Sequence, residues 1–273
     1  MNSPIQWVGG KRWHAPLVQQ IWSGQRLVEL FCGGCSVSFA LEPKHAVLND
    51  MNPHLINFFE WLKYDGFALW SDMTRDALRY TASRKEFNAI RGSRSARGAQ
   101  LFFYLNAHCY NGLWRVNSKG EFNVPMRPST RNGWGLSLRE RTMPPPDVEA
   151  FCALSTDWVF TCSDFQDVAL EPDDFVYADP PYDDGFTSYD AQRFTWDDQT
   201  RLAVWLAGHP GPTVIMNKAT DRIMDLYHSL GFQLIPLDSK QRMHRSRGRS
   251  DSVLEVMAVS SGIDLRDMMK ASL

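Results

Sequence analysis

The stretch Phe175-Val176-Tyr177-Ala178-Asp179-Pro180-Pro181-Tyr182 joins an apolar run to an acidic turn with two prolines. Four apolar residues in a row are typical of a buried strand, and open α/β sheets bind ligands where such strands end. A carboxylate and a carbonyl held by stiff prolines can accept two amino hydrogens, and an aromatic ring can stack on a flat base. The stretch therefore favours a site for a flat heterocycle with an exocyclic amine, although an ordinary acidic turn uses the same residue types.

A second candidate site lies near the start of the chain, where a glycine turn follows an apolar strand. The strand is predicted over residues 25–31, the turn is Cys32-Gly33-Gly34-Cys35-Ser36, and a second strand, 46–49, ends at Asp50. A strand, glycine turn and helix let a backbone approach a cofactor closely, and an acid after the second strand usually holds a ribose. The pattern indicates an adenosine-type ligand. A thioredoxin-like redox pair is the alternative use of the CxxC.

Strands and helices alternate along most of the chain. Helices are predicted to begin at Asn52, Thr195 and Thr220, because each is a good N-cap before an apolar periodic run. Further strands are predicted at residues 158–162, 175–178, 213–216, 232–235 and 253–259. This alternation predicts an α/β fold with a parallel sheet covered on both faces and an antiparallel hairpin at one edge.

Residues 65–146 differ from the rest of the chain in composition. They are rich in Arg, Asn, Gly and Ser, and the range closes in three prolines. Two turn signals, Asn111-Gly112 and Ser118-Lys119-Gly120, have aromatic, apolar and arginine side chains between them and predict a protruding ribbon. We interpret 65–146 as a mostly helical domain inserted into a discontinuous domain of residues 1–64 and 147–273.

Composition limits the classes of function. The chain has 273 residues, 44% apolar and 22% charged, with a net charge of -2 and a pI of 6.4. A polyanion partner would therefore bind local basic patches, at residues 84–97 and 240–249. Five cysteines form no paired CxxC set and HExxH is missing, so we expect no metal. Without a long apolar run or a leader, the sequence predicts a cytoplasmic protein that does not enter membranes.

Several of these segments together resemble one family. Trp7-Val8-Gly9-Gly10-Lys11, residues 29–36, Asp50, residues 110–125 and residues 179–182 follow in the order of the Dam-like, D12 class DNA adenine-N6 methyltransferases. The resemblance implies a Rossmann-like methyltransferase sheet with an inserted target-recognition domain that carries a β-hairpin. It also implies a bacterial or phage-infected host cell and double-stranded DNA as the partner, and we expect a monomer.

The resemblance also assigns roles to residues. The implied cofactor is S-adenosylmethionine, and its implied contacts are Trp7, Lys11, Phe31, Gly33, Asp50, Asp164, Phe165 and Asp179. The implied catalytic residues are Asp179, Pro180, Pro181 and Tyr182. The implied DNA contacts are Tyr110, Asn111, Leu113, Arg115, Asn117, Pro125, Arg245 and Arg247. The target adenine would be flipped out of the duplex at a cost of a few kcal/mol, and no covalent enzyme intermediate is needed.

Three positions depart from the family pattern. Gln6 stands where members that methylate GATC usually carry a lysine that reads the first guanine, so a related site with another or a degenerate first base is an alternative. Residues 126–129 lack an expected aromatic side chain. Cys35 replaces a glycine, which would cost stability and cofactor affinity if that backbone is left-handed.

Two other functions remain open from the sequence. The motif at 179–182 specifies an amine on a flat ring more firmly than the ring itself, so the acceptor could instead be cytosine N4 or an RNA base. The other alternative is a DNA-binding regulator that has lost catalysis.

Overall fold

The structure is a computed structural model. It describes residues 3–10, 12–69, 73, 76–128, 145–183, 194–239 and 253–263. Of the predicted site residues, Lys11, Arg245 and Arg247 lie outside this part of the chain. Within it, no helix is both long enough and apolar enough to span a membrane.

Seven strands of the described residues form one sheet, in the order β3-β2-β1-β4-β5-β7-β6. They are β1 (Leu27–Glu29), β2 (Ala46–Asn49), β3 (Trp158–Thr161), β4 (Phe175–Ala178), β5 (Thr213–Lys218), β6 (Gln233–Ser239) and β7 (Val253–Val259). The first five are parallel to one another, and β7 is antiparallel to both β5 and β6. The predicted α/β fold is confirmed, and its strand arrangement is consistent with a Rossmann-like methyltransferase.

The antiparallel pair predicted for the end of the chain lies at one edge of the sheet, with β6 outermost. Strand β7 fits the inner position because residues 256–259 are fully buried. Strand β6 fits the edge because it contains Pro236, which has no backbone N–H to donate to a further strand.

Eight helices of the described chain accompany the sheet. They are α1 (Ala15–Ile21), α2 (Ser36–Leu41), α3 (Pro53–Leu69), α4 (Ala77–Ile90), α5 (Ala96–His108), α6 (Pro145–Leu154), α7 (Trp196–Ala207) and α8 (Asp221–Ser229). Two of the predicted caps are present: Asn52 Oδ1 accepts from the backbone N–H of His54 at 3.0 Å, and Thr195 and Asp198 form a capping box. Thr220 precedes α8 as predicted but makes no side-chain cap bond, because its hydroxyl donates to Asp183 instead. These local signals fix where α3 and α7 begin.

Two hydrophobic clusters cover the two faces of the sheet. Adjacent strand residues alternate between them, so that Leu27 belongs to one cluster and Val28 to the other. The first cluster includes side chains from α1 to α6, and the second includes side chains from α7 and α8. Both faces are therefore buried, as expected for a mostly parallel sheet.

The chain between β2 and β3 is helical in its described residues, apart from a ribbon at 109–126. Two isolated bridges, Cys109↔Met126 and Val116↔Phe122, join the two sides of this ribbon. Helix α3 crosses the predicted domain boundary, and Asp65 has a non-helical backbone there (φ −151°, ψ 70°). The inserted domain at 65–146 stays a prediction.

Candidate active site

The glycine turn lies at the carboxyl edge of the sheet, between Asp50, which follows β2, and Asp179, which follows β4. Strand β1 pairs with β2 on one side and with β4 on the other, so residues that follow these three strands are neighbours. Asp50 Oδ2 accepts a hydrogen bond from the backbone N–H of Gly33 at 3.0 Å, and its Oδ1 accepts from that of Asn52 at 2.9 Å. Asp50 therefore joins the turn after β1 to the start of α3.

The indole of Trp7 lies directly against the glycine turn. Gly33 has φ +47°, and a Cβ added there would lie 2.8 Å from Trp7 Cδ1. A side chain at this position would therefore displace the indole. The structure thus brings together Trp7, Gly33 and Asp50, three residues predicted to contact the cofactor.

Cys35, which stands where the family pattern has a glycine, has a left-handed backbone conformation. Its φ is +54°, a region in which non-glycine residues are uncommon. The five cysteines are free thiols, and burial raises the pKa of both Cys32 and Cys35. A redox-active thiol needs a lowered pKa, so the geometry does not support the thioredoxin-like alternative.

Glu29 is a buried acid that the sequence reading did not single out. It is 2% exposed, and its Oε1 accepts from the backbone N–H of Ser38 at 2.6 Å and from the hydroxyl of the same residue. Burial raises the pKa of Glu29 to about 7, and the charge of Asp179 adds to this. The carboxyl group therefore fixes the first turn of α2. Its sequence signal was an acid inside the apolar run predicted as a strand at residues 25–31.

Three phenylalanine rings cluster beside the turn. The centroid of Phe31 lies 5.7 Å from that of Phe165 and 5.5 Å from that of Phe194. The guanidinium of Arg201 lies 4.2 Å from the Phe165 centroid and donates two bonds to Asp164, at 2.7 and 2.9 Å. This pairing lowers the pKa of Asp164. Phe194 and Arg201 were not predicted as site residues, because neither carries a local signal.

Polar side chains from three elements support the segment 179–183 from behind. Pro181 O accepts from Gln199 Nε2 at 2.8 Å, and Gln199 Oε1 accepts from Asn217 Nδ2 at 2.9 Å. Asn217 Oδ1 in turn accepts from the backbone N–H of Asp183 at 3.2 Å. The Asp183 carboxylate is bonded by Thr220, at 3.0 Å, and by Arg222. The backbone of the motif is therefore held on β5, α7 and α8.

The ring of Tyr182 is held by a separate polar contact. Its hydroxyl donates to Glu255 Oε2, on β7, at 3.1 Å. Burial, together with the charges of Asp179 and Glu255, raises the pKa of Tyr182, so the hydroxyl stays protonated and can donate.

The ribbon at 109–126 presents polar and apolar tips over an aromatic interior. Tyr110 is 49% exposed, while Trp114 packs inward with its centroid 5.0 Å from that of Phe122 and 4.8 Å from that of Phe102. Asn111 and Gly112 both have positive φ, +54° and +63°, as their turn signal predicts.

The remaining predicted DNA contacts differ in how their side chains are engaged. Arg115 Nε donates to Asn123 Oδ1 at 2.8 Å. Asn117 Oδ1 accepts from the backbone N–H groups of Lys119 and Glu121, at 2.9 and 3.0 Å, so this side chain shapes its own turn. Leu113 is half-buried and Pro125 is exposed.

Asn106 ties the N-terminal segment to the ribbon. Its Oδ1 accepts from Gln6 N at 3.1 Å, and its Nδ2 donates to Gln6 O at 2.8 Å and to Gly112 O at 3.2 Å. A Cβ at Gly112 would lie 2.3 Å from Gln6 Cβ, so only glycine permits this approach. Gln6 therefore lies beside the tip of the ribbon. Asn106 was missed because its partners are distant in sequence.

The sheet order, the glycine turn and the motif at its carboxyl edge are consistent with a Rossmann-like methyltransferase. A profile of the D12 class N6 adenine-specific DNA methyltransferases matches residues 7–243. The chain belongs to this family. Methylation of DNA adenine, predicted from the sequence, is confirmed at this level, and the family favours adenine N6 over cytosine N4 or an RNA base.

Individual relatives agree with the family. The chain is 32% identical over 274 residues to the retron Ec67 DNA adenine methylase of Escherichia coli, covering 95% of this chain and 92% of that one. It is 31% identical over 279 residues to the DNA N-6-adenine-methyltransferase of Escherichia phage P1, covering 94% of this chain and 35% of that one. It is 29% identical over 276 residues to the DNA adenine methylase of Escherichia coli K12, covering 93% and 94%.

Proposed function

We propose that the methyl donor is S-adenosylmethionine and that the acceptor is an adenine flipped out of double-stranded DNA. The observation that carries this proposal is the meeting of the motif at 179–182 with the Gly33 turn and Asp50 across three paired strands. A donor held at the turn would lie beside an amine held at the motif, as direct transfer requires.

The residues at the turn suit S-adenosylmethionine. The carboxylate of Asp50 can accept hydrogen bonds from a ribose diol, and the absence of a side chain at Gly33 lets the indole of Trp7 pack directly on the turn that would hold the cofactor. The half-buried ring of Phe31, packed on buried Phe165, offers apolar surface to an adenine, and Trp7 closes the other side of the turn. When bound, the sulfonium supplies an electrophilic methyl group.

The motif would orient the acceptor amine. The Asp179 carboxylate and the Pro180 carbonyl would accept the two N6 hydrogens, and the ring of Tyr182 would stack on the flipped base. These bonds direct the nitrogen lone pair, otherwise delocalised into the ring, toward the methyl group. Positioning and electrostatics then supply most of the acceleration.

The ribbon would read the DNA. Tyr110 would insert into the base stack, Leu113 would contact a thymine methyl, and Arg115 would contact a guanine edge. Asn111 and Asn117 would shape the two turns, Pro125 would support a neighbouring base contact, and Arg245 with Arg247 would bind phosphates.

GATC or a related sequence is the proposed site, and Gln6 is the residue that would change its first base. Its position against Gly112 supports a role beside the ribbon. Glutamine pairs well with adenine in the major groove, whereas lysine favours guanine. The protein would act on DNA in the cytoplasm.

Modification-sensitive sequencing tests the proposal. Plasmid DNA would be recovered from a methylase-deficient host that expresses the chain, with Asp179→Ala as the control. We expect N6-methyladenine in one recurring motif, its loss in the control, and a shift of the first base toward guanine in Gln6→Lys. Unmodified DNA from well-folded protein would contradict the proposal.

The donor is tested separately with purified protein. Titration with S-adenosylmethionine should show binding that Asp50→Ala weakens, because the ribose would lose its carboxylate partner. An unchanged affinity in Asp50→Ala would remove Asp50 from the cofactor site.

A further inference from the structure

A buried polar chain lies beneath the ring of Tyr182. Glu255 Oε2 accepts from the Tyr182 hydroxyl at 3.1 Å and lies 3.0 Å from His14 Nε2. His14 Nδ1 lies 3.0 Å from the hydroxyl of Tyr177. Glu255 is 2% exposed, His14 0% and Tyr177 2%. Side chains from β4, from β7 and from the turn before α1 therefore form one buried hydrogen-bond network.

The bonds of this network have one consistent direction when the His14 proton is on Nε2. Tyr177 then donates to His14 Nδ1, His14 donates to Glu255, and Tyr182 donates to the same carboxylate. Burial, together with the charge of Asp179, raises the pKa of both tyrosines, so both hydroxyls keep the proton that they donate. The buried carboxylate is thus compensated by donors, as burial of a charge requires.

The network spans the catalytic motif. Tyr177 lies on β4 two residues before Asp179, which follows the strand, and Tyr182 closes the motif, so β7 and the N-terminal turn hold the segment at both ends. Packing alone does not require ionisable groups here, because apolar side chains of similar volume are often as stable in such places. The Glu255 carboxylate differs from an apolar group because it forms a directional hydrogen bond with the Tyr182 hydroxyl, the only polar group of that side chain.

We propose that Glu255 and His14 are positioning residues that fix the ring of Tyr182 for base capture. Glu255 acts directly through the hydroxyl, and His14 acts by orienting Glu255. The inference rests on the proposed function, in which Tyr182 stacks on the flipped adenine. Without this hydrogen bond the Tyr182 ring would sample other orientations. Capture of the base would then include the entropic cost of ordering the ring.

The test compares Tyr182→Phe, Glu255→Gln and the double variant. Tyr182→Phe removes only the hydroxyl and keeps the ring. Base capture would be measured by the fluorescence of 2-aminopurine at the target position of the sequenced site, methyl transfer by single-turnover rates, and cofactor affinity by titration with S-adenosylmethionine. Glu171→Gln is the matched control, because Glu171 is paired with Arg26 on the surface, before β4 and β1 and so at the edge of the sheet opposite the motif.

We expect Tyr182→Phe to lower base capture and transfer rate about tenfold, the size of one hydrogen bond to a charged group. Glu255→Gln should lower them less, because it keeps an acceptor oxygen for the hydroxyl and removes only its charge. Cofactor affinity should be unchanged, and Glu171→Gln should match the parent in every measurement. The double variant should be no worse than Tyr182→Phe, because Glu255→Gln weakens a bond that Tyr182→Phe has already removed. His14→Phe should resemble Glu255→Gln, with a smaller loss.

Several outcomes would overturn the inference. Wild-type base capture in Tyr182→Phe would show that the hydroxyl is not used, and additive effects would show that Glu255 acts by another route. Tyr182→Ala separates this failure from failure of the proposed function. Loss of capture in the alanine variant with normal capture in the phenylalanine variant refutes only the positioning role, whereas normal capture in both refutes stacking itself. Tyr182→Phe decides the matter even where Glu255→Gln fails to fold.

Discussion

The segment 179–183 and the ribbon at 109–126 are held in place by different forces. Behind the first lie polar side chains, Gln199, Asn217 and Glu255, which bond its backbone and its tyrosine. Beneath the second lie aromatic rings, with Trp114 packed between Phe102 and Phe122. Side-chain hydrogen bonds from Asn106 and Asn88 also reach the ribbon backbone, at Gly112 and Phe122, so the two regions differ in which kind of support predominates.

The difference matches what each region has to do. Transfer to an amine needs its acceptors fixed to within a fraction of an ångström, and hydrogen bonds impose distance and angle. A ribbon that reads bases needs a firm anchor while its tips vary, and apolar packing fixes position without fixing the polar groups outside. Changes to the aromatic anchor and to the polar support should therefore affect different measurements.

Phe122→Ala should have the largest effect on stability. Phe122 is 2% exposed and packs on Trp114, and truncation of such a ring costs about 3–5 kcal/mol of unfolding free energy. Urea unfolding measures this loss, and DNA affinity should fall with it while affinity for S-adenosylmethionine is kept. Tyr110→Ala is the control, because this exposed ring should affect DNA affinity with little change in stability. Equal losses of both affinities would contradict the comparison.

Glu29→Gln, a change close to the motif, should alter how the free energy of unfolding depends on pH. The pKa of Glu29 is about 7 in the folded chain against an ordinary value of 4.5, so the folded state holds a proton that the unfolded state releases between these values. Its contribution is complete below pH 4.5 and is lost as pH rises through 7, by up to about 3 kcal/mol. The difference in unfolding free energy between parent and variant should therefore fall from pH 4.5 to 8. A constant difference would contradict the shift.

His54→Phe should show the opposite dependence beneath the ribbon. His54 packs on Phe87 and Trp114, and burial, followed by the charge of Arg91, lowers the pKa of His54 to about 4 from 6.5. As pH falls, His54 takes up a proton in the unfolded chain at a higher pH than in the folded chain. The free energy of unfolding of the parent therefore decreases by up to about 3 kcal/mol between pH 6.5 and 4. Unfolding curves at pH 7 and pH 4.5 measure this, and the variant should lose less on acidification. An equal loss in both proteins would refute the prediction.

Arg115→Ala tests whether the ribbon reads bases. Its guanidinium is oriented by Asn123, and loss of a bidentate guanine contact should cost about 1–3 kcal/mol at one base position. Affinities for a set of single-base variants of the site give this profile. Uniform weakening on every sequence would instead identify a phosphate contact.

Cys35 provides the smallest and most local test, beside the cofactor turn. Its left-handed backbone costs about 1–2 kcal/mol for a residue with a Cβ. Cys35→Gly should therefore be more stable than Cys35→Ala by about 1 kcal/mol, the reverse of the usual order in a helix. Thermal unfolding gives the ranking, and cofactor titration of the glycine variant shows whether the strain affects binding. A more stable alanine variant would contradict the conformation.

Signals within a few residues of each other determined much of the fold. The cap at Asn52, the capping box at Thr195 and the positive φ of Asn111 all depend on local bonds and sterics. The buried run 175–178 and the motif after it located the carboxyl edge of the sheet and indicated the chemistry. By its resemblance, the sequence also led to the D12 family, which the comparison confirmed.

Only the tertiary structure determined which side chains hold the motif and the N-terminal segment in place. His14 meets Glu255 across 241 residues, and Gln6 meets Asn106 across 100, so no local pattern distinguishes these side chains from other buried polar groups. It also placed β7 inside the sheet and Phe194 beside Phe31. Periodicity and caps report interactions along one element, whereas a bond between elements exists only after hydrophobic burial has brought their backbones together. The sequence alone therefore determined the elements and the motif, and only the packed chain decided which side chains hold the motif in place.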